Sequence, residues 1–328
     1  MNRSTWFLVA AASSFLAVLA VRRYVLAKGV LDTPNARSSH TVPTPRGGGL
    51  GLMPVLLVLL SITVGAASGA RVAGFLGFAV LLTAIVGWLD DSMGGIRPRT
   101  RFAAHLVAGA TIAMIAPSLG LAGWLAFAWW TFWTAASINV VNFIDGIDGI
   151  IGVQALVFAA HVLLLVPQSV FANAAAVLAG AAVGFLLLNW APARIFLGDA
   201  GSGGLGVVFV GLGALVIREG AVGLLATFLP LAPIFLDASV TLVRRAARGE
   251  RLSEAHRSHV YQLLANGRFG HAPVTLLYGL ASIAGLLLAL WVPNAGWSPL
   301  AAYLAGLTLC GWVLLRMNRA RGPLTVVG

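Results

Sequence analysis

The sequence predicts an all-α protein, a polytopic integral membrane helical bundle of about eleven transmembrane helices, N-terminus outside and C-terminus cytoplasmic. Three observations carry this. Of 328 residues, 59% are hydrophobic and only 9% charged, against about 25% charged residues in soluble domains, and mean hydropathy is +0.93. Apolar runs long enough to cross a bilayer core of about 20 residues recur along the whole chain. Finally, the charged residues segregate by loop parity, as short loops on two sides of a membrane require.

Taken in order, windows of about 19 residues place spans at 5–21, 48–67, 72–89, 102–116, 120–137, 150–166, 172–189, 203–217, 221–243, 273–292 and 299–315. The first ends in Arg22-Arg23 with no clear Ala-x-Ala site before it, so it reads as a retained span rather than a cleaved leader. The spans at 102–116, 203–217 and 299–315 are short, hence tilted or re-entrant. No connection is long enough for a soluble domain, so residues 1–328 read as one transmembrane domain. Its polar loops on one face are 22–47, 90–101, 138–149, 190–202 and 244–272. The single cysteine, Cys310, excludes an intrachain disulfide.

Of 21 Lys and Arg, all but Arg3, Arg71 and Arg218 fall in the odd-numbered loops or the C-terminal tail. That bias puts those loops in the cytoplasm. The net charge of +11 is therefore a topology signal, and nucleic acid is not an expected partner because no aromatic–basic interleaving accompanies it. The acids follow the same side: Asp32, Asp90, Asp91, Asp145, Asp148, Asp199, Glu250 and Glu254 are in cytoplasmic loops, and only Glu219 is outside. Asp237 lies inside an apolar span, where ionisable residues are functional by default; the competing reading pairs it with Arg244 or Arg245.

The stretch Asn139-Val-Val-Asn142-Phe-Ile-Asp145-Gly-Ile-Asp148-Gly carries two acids and no base. A carboxylate at a helix centre in hydrocarbon costs about 2.5–3.5 kcal/mol, so the pair reads as a divalent-metal or phosphate–metal site at the membrane face. Three even-numbered spans also begin glycine-rich: Arg46-Gly-Gly-Gly-Leu-Gly51, Asp145-Gly-Ile-Asp-Gly149 and Gly198-Asp-Ala-Gly-Ser-Gly-Gly-Leu-Gly206. Helix N-termini carry free amides and a positive dipole end, and glycine lets a phosphate approach them. Glycine also serves helix packing in membranes. Three such starts converging with acids on one face favour metal–pyrophosphate chemistry.

These motifs, with Asp90-Asp91-x-x-Gly94, Phe196-Leu-Gly-Asp199-x-Gly-Ser202, Arg37-Ser-Ser-His-Thr-Val-Pro-Thr-Pro-Arg-Gly-Gly-Gly49 and His256-Arg-Ser-His-Val-Tyr-Gln262, resemble the polyprenyl-phosphate N-acetylhexosamine-1-phosphate transferases over nearly the whole chain. The His256–Tyr261 loop is closer to the branch that starts O-antigen or other surface glycans than to the muramoyl-pentapeptide branch. The resemblance implies transfer of a sugar-1-phosphate from a UDP-sugar donor to undecaprenyl phosphate, with release of UMP. It implies Mg²⁺ as cofactor, Mn²⁺ being able to stand in, and a multi-pass enzyme of the bacterial inner membrane working on the cytoplasmic face. Dimers occur among relatives, so a homodimer is allowed.

By the same resemblance Asp199 and Asp145 hold the metal, Asp145 also placing the pyrophosphate, while Asp90 and Asp91 bind or deprotonate the lipid phosphate. Asp148 reads the uracil edge, Asn139 and Asn142 orient the acids, Phe196 stacks on uracil, and Asn189 lies near the nucleotide. His256, Arg257 and His259 read the sugar, and Tyr261 stands where relatives carry histidine. Plainer readings compete: an N-cap for Asp199, a solvated pair beside Arg97 and Arg99 for Asp90 and Asp91, and simple packing for Phe196. His105 and His161 read as helix-packing residues, and His40 and His271 stay unassigned. A Mg-dependent membrane prenyltransferase should instead show two Asp-x-x-x-Asp repeats, and a secondary transporter should show mid-span acids and inverted repeats.

Overall fold

The computed structural model describes residues 1–29, 31–33, 42–220, 222–251, 256–291 and 297–319. The Arg37–Thr41 part of the first motif, His40 and Glu254 lie outside the described residues. Helices α1 (Arg3–Ala27), α2 (Gly49–Ser68), α3 (Ala70–Ser92), α4 (Pro98–Ala113), α5 (Gly123–Ile144), α6 (Ile150–Leu165), α7 (Ala172–Asn189) and α8 (Asp199–Arg218) follow one another through short turns. Then come α9 (Leu224–Phe228), α10 (Ala232–Ala247), α11 (Val260–Leu264), α12 (His271–Trp291) and α13 (Trp297–Arg319). Every expected span has a helix, and among the described residues seven segments are long and apolar enough to cross a membrane. Among the described residues the departures from all-α are a two-residue pair, Leu31–Asp32 antiparallel to Thr44–Pro45, and an isolated bridge between Arg46 and Phe196.

Residues Ala200–Ile217 of α8 are buried throughout, with α2, α3, α5 and α6 against it, α1 on α7, and α12 on α6. Meanwhile Leu8, Leu16, Val58, Ile62, Phe78 and Leu81 point outward. An apolar exterior around a bundle whose backbone is satisfied within its own helices is the architecture a bilayer demands.

Three expected boundaries differ, each for a local reason. The 203–217 span gains a full turn, because Gly198 with φ +77° closes the preceding turn and α8 starts at Asp199. α5 runs on through Asn139 and Asn142 to Ile144 rather than ending in a loop, the Asn139 amide being tied to its own helix at Ala135 O, 2.7 Å. The ninth span is broken at Leu229–Leu231, a 3₁₀ turn, because Pro230 and Pro233 cannot donate helical hydrogen bonds.

The two ends of the bundle are chemically distinct. At one, the C-termini of α3 and α5 meet the N-termini of α6 and α8. At the other, Arg218 donates to Ile115 O at 3.3 Å, and Glu219 accepts from the Val170 amide at 2.9 Å and from the Ser169 hydroxyl.

Candidate active site

Asp199, the first residue of α8, is the centre. Gly87 of α3 lets the two helices touch there: a Cβ on Gly87 would stand 2.3 Å from the Asp199 carbonyl carbon. Asp90 and Asp91 occupy the last turn of α3, so the same contact brings three carboxylates together. Asp91 Oδ2 accepts the Asp199 amide at 2.8 Å, satisfying one of the free N–H groups of the α8 start. Gly198 has to be glycine for the same reason, since a Cβ would lie 2.7 Å from that carboxylate oxygen. Asp199 does not cap its own helix; the N-cap is Gly198.

Two arginines bridge the acids. Arg46 places Nε 3.1 Å from Asp91 Oδ1 and Nη2 3.1 Å from Asp199 Oδ1. Arg101 reaches Asp90 Oδ2 at 2.7 Å and Asp199 Oδ2 at 3.4 Å. Asp90 also accepts the Ile96 amide. These are neither of the arginines expected beside the pair, Arg97 and Arg99, and the sequence contains no local sign of either contact. Arg46 is set by its chain: Phe196 N–H donates to Pro45 O at 2.8 Å and the Gly48 N–H to Phe196 O at 2.8 Å. Phe196 thus ties the Arg46–Gly48 approach to α2 onto the approach to Asp199, its ring half-buried.

Asp145 faces this cluster from the end of α5. Among the described residues no hydrogen bond reaches its carboxyl group. Burial first, then the carboxylates of Asp199 and Asp91, against the pull of Arg46, push its pKa up to about 8. A carboxyl in that state binds a cation readily, because a cation removes the repulsion that holds the proton on. Asn142 Nδ2 donates to Ser202 Oγ at 3.0 Å, locking α5 to α8 beside it. Asn139 Nδ2 lies 3.1 Å from His105 Nδ1. His105 and Asn142 line, with Arg101 and Asp199, one small hollow between α3, α4, α5 and α8, so His105 belongs to the site's wall and does more than pack.

Asp148 is not open in the same way. Its Oδ2 accepts the Ala193 amide at 3.0 Å, its Oδ1 lies 3.1 Å from His271 Nδ1, and its backbone carbonyl accepts the Thr275 hydroxyl at 2.7 Å. Asn189 supports the same turn, accepting from Gly149 N–H at 3.0 Å and donating to Ile195 O at 2.9 Å. Both residues therefore shape the ring of backbone around 189–196.

The 256–261 stretch leads into α11, whose N-cap is His259. His259 is buried, its ring 4.9 Å from that of His256 and 6.1 Å from that of Phe143. His256 is half-exposed; burial, then His259 and Arg245, lower its pKa to about 4, so it is neutral at pH 7. The Tyr261 hydroxyl donates to Phe143 O at 2.9 Å, which ties this loop to the Asp145 turn. Asp237 contacts neither Arg244 nor Arg245: the former donates to Ser258 O and the latter pairs with Glu250 at 2.8 Å.

A Mg²⁺ ion takes one or two protein carboxylates and completes its shell with water and substrate phosphates. Asp145 and Asp199 fit that donor set. Among the described residues no three His, Cys, Asp or Glu side chains converge as a ready-made metal cage.

Residues 72–217, which carry Asp90 through Asp199, match glycosyl transferase family 4. The chain is 25% identical over 293 residues to a probable undecaprenyl-phosphate N-acetylglucosaminyl 1-phosphate transferase of Bacillus subtilis (strain 168), spanning 83% of this chain and 80% of that one. Over 121 residues it is 37% identical to the phospho-N-acetylmuramoyl-pentapeptide-transferase of Clavibacter sepedonicus, 35% of this chain and 30% of the relative. The same enzyme of Clavibacter michiganensis subsp. michiganensis matches equally.

Proposed function

We propose that this chain is a polyprenyl-phosphate N-acetylhexosamine-1-phosphate transferase that moves N-acetylhexosamine-1-phosphate from a UDP-sugar to undecaprenyl phosphate. The products are undecaprenyl-pyrophosphate-sugar and UMP, at the cytoplasmic face of a bacterial inner membrane, as the first step of an O-antigen-type surface glycan. An oxygen of the acceptor phosphate forms a bond to the sugar-bearing phosphorus of the donor, and the bond from that phosphorus to the bridging oxygen of UMP breaks.

The observation that supports this best is the gathering of Asp90, Asp91, Asp145 and Asp199 with Arg46 and Arg101 at one end of the bundle. Phosphoryl transfer asks a protein for charge neutralisation and alignment, and alternating carboxylates and guanidiniums supply both. Asp145 and Asp199 would hold Mg²⁺, which when bound offsets repulsion between the two phosphates and polarises the attacked phosphorus. Arg46 and Arg101 each have a carboxylate to leave and a phosphate to join; guanidinium forks match phosphate geometry. Asp90 and Asp91 then orient those arginines. The neutral His256 offers hydrogen bonds to an uncharged sugar.

Purified protein with undecaprenyl phosphate, Mg²⁺ and a panel of UDP-N-acetylhexosamines should release UMP with at least one donor. No UMP from any of them, with prenyl transfer to an aromatic acceptor instead, would replace this reading by the prenyltransferase one.

A further inference from the structure

Asp237 is a carboxylate in the middle of α10 that nothing in the reaction above uses, and five donors converge on it. Its Oδ1 accepts the Val260 amide at 2.9 Å and the Thr241 hydroxyl at 3.2 Å, with His259 Nδ1 at 3.3 Å. Its Oδ2 accepts the Tyr261 amide at 3.0 Å and the Tyr278 hydroxyl at 2.5 Å. Val260 and Tyr261 open α11, so one side chain from α10 satisfies two of that helix's free N–H groups, while Tyr278 anchors the same carboxylate to α12.

The consequence reaches the reacting end of the molecule. With its backbone fixed, the fully buried Tyr261 side chain extends to α5, where its hydroxyl donates to Phe143 O at 2.9 Å. It passes directly beneath Gly146, where a Cβ would lie 2.2 Å from that hydroxyl. Gly146 is the neighbour of Asp145. An unbroken chain of contacts therefore runs from Asp237 through the Val260–Tyr261 backbone and the Tyr261 ring to the Asp145 turn, and the same carboxylate fixes the ring of His259 beside His256.

Resting on the transferase reading, we infer that Asp237 is a positioning residue that holds the sugar-side loop 256–261 in register with the Asp145 turn, acting through Tyr261. An apolar span tolerates the charge because five donors satisfy it. A purely architectural carboxylate would stabilise the bundle without favouring one substrate over the other. Asp237 instead bears on the donor side of the reaction, leaving the acceptor side, at Asp90 and Asp91, untouched.

The test is steady-state kinetics of the full-length enzyme in detergent with Asp237→Asn, Tyr261→Phe and the double variant, thermal melts checking that each is folded. Asp237→Asn should lower kcat and raise KM for the UDP-sugar about tenfold together or more, with KM for undecaprenyl phosphate unchanged. Tyr261→Phe should shift the same parameters the same way, and the double variant should be no worse than Asp237→Asn alone, since both act in series. Multiplicative losses in the double variant, equal rises in both KM values, or wild-type kinetics in a folded Asp237→Asn would each overturn the inference. Should Asp237→Asn not fold, Tyr278→Phe and Tyr261→Phe carry the test, and wild-type donor KM in both overturns it. A wild-type enzyme that releases no UMP sinks the transferase reading instead, a result separable from these.

Discussion

Asp145→Asn gives the sharpest combination of opposite effects. In the folded chain the Asp145 pKa rises from 3.8 to about 8, burial being the largest cause and Asp199 the next. A carboxyl group raised in this way contributes its full stability below pH 4, and that contribution is lost as pH rises through about 8. Each unit is worth about 1.4 kcal/mol, and because water reaches this half-buried group, screening leaves about 2–3 kcal/mol of the full effect. Asparagine cannot ionise. In EDTA the variant should therefore melt close to wild type at pH 4 and higher at pH 9, by on the order of 5 °C. Added Mg²⁺ at pH 9 should raise the wild-type Tm and leave the variant unmoved, while the variant releases no UMP. Parallel Tm–pH curves for the two proteins, or equal responses to Mg²⁺, would refute the reasoning.

Arg101→Met removes the bridge between Asp90 and Asp199; kcat should fall by about 10²-fold with no weakening of apparent Mg²⁺ affinity, measured by metal titration of UMP release. Gly87→Ala drives a Cβ into the Asp199 backbone, an overpacking cost of about 1–3 kcal/mol, so Tm should drop and activity with it; a folded, fully active variant would contradict the α3–α8 contact. The lowered His256 pKa means that stability falls as pH drops from about 6.5 towards 4, and His256→Gln should flatten that part of the Tm profile.

The bundle was legible because apolar runs and loop charges obey the bilayer, which acts on every residue. The acids of the site were legible because each of Asp90, Asp91, Asp145 and Asp199 is anomalous where it stands. Arg46 and Arg101 were not, since an arginine in a loop of this face is already explained by topology, and their carboxylate partner Asp199 lies far away in sequence. Asn139 and Asn142 read as loop residues by propensity; their side-chain bonds within α5 and to Ser202 outweigh that preference. His271, which the sequence leaves without a role, meets Asp148 only once α12 has docked on α6. Asp237 is visibly out of place in an apolar span, but its five donors come from α10 itself, the 259–261 stretch and α12, and its two near neighbours in sequence, Arg244 and Arg245, take other partners.

Mn²⁺ binding followed by electron paramagnetic resonance, on the purified protein with and without a UDP-sugar, tests whether the gathered carboxylates hold a cation. Wild type should take up one ion per chain, more tightly when the nucleotide sugar is present, and both Asp145→Asn and Asp199→Asn should lose it. The same stoichiometry and affinity in all three proteins would contradict the account.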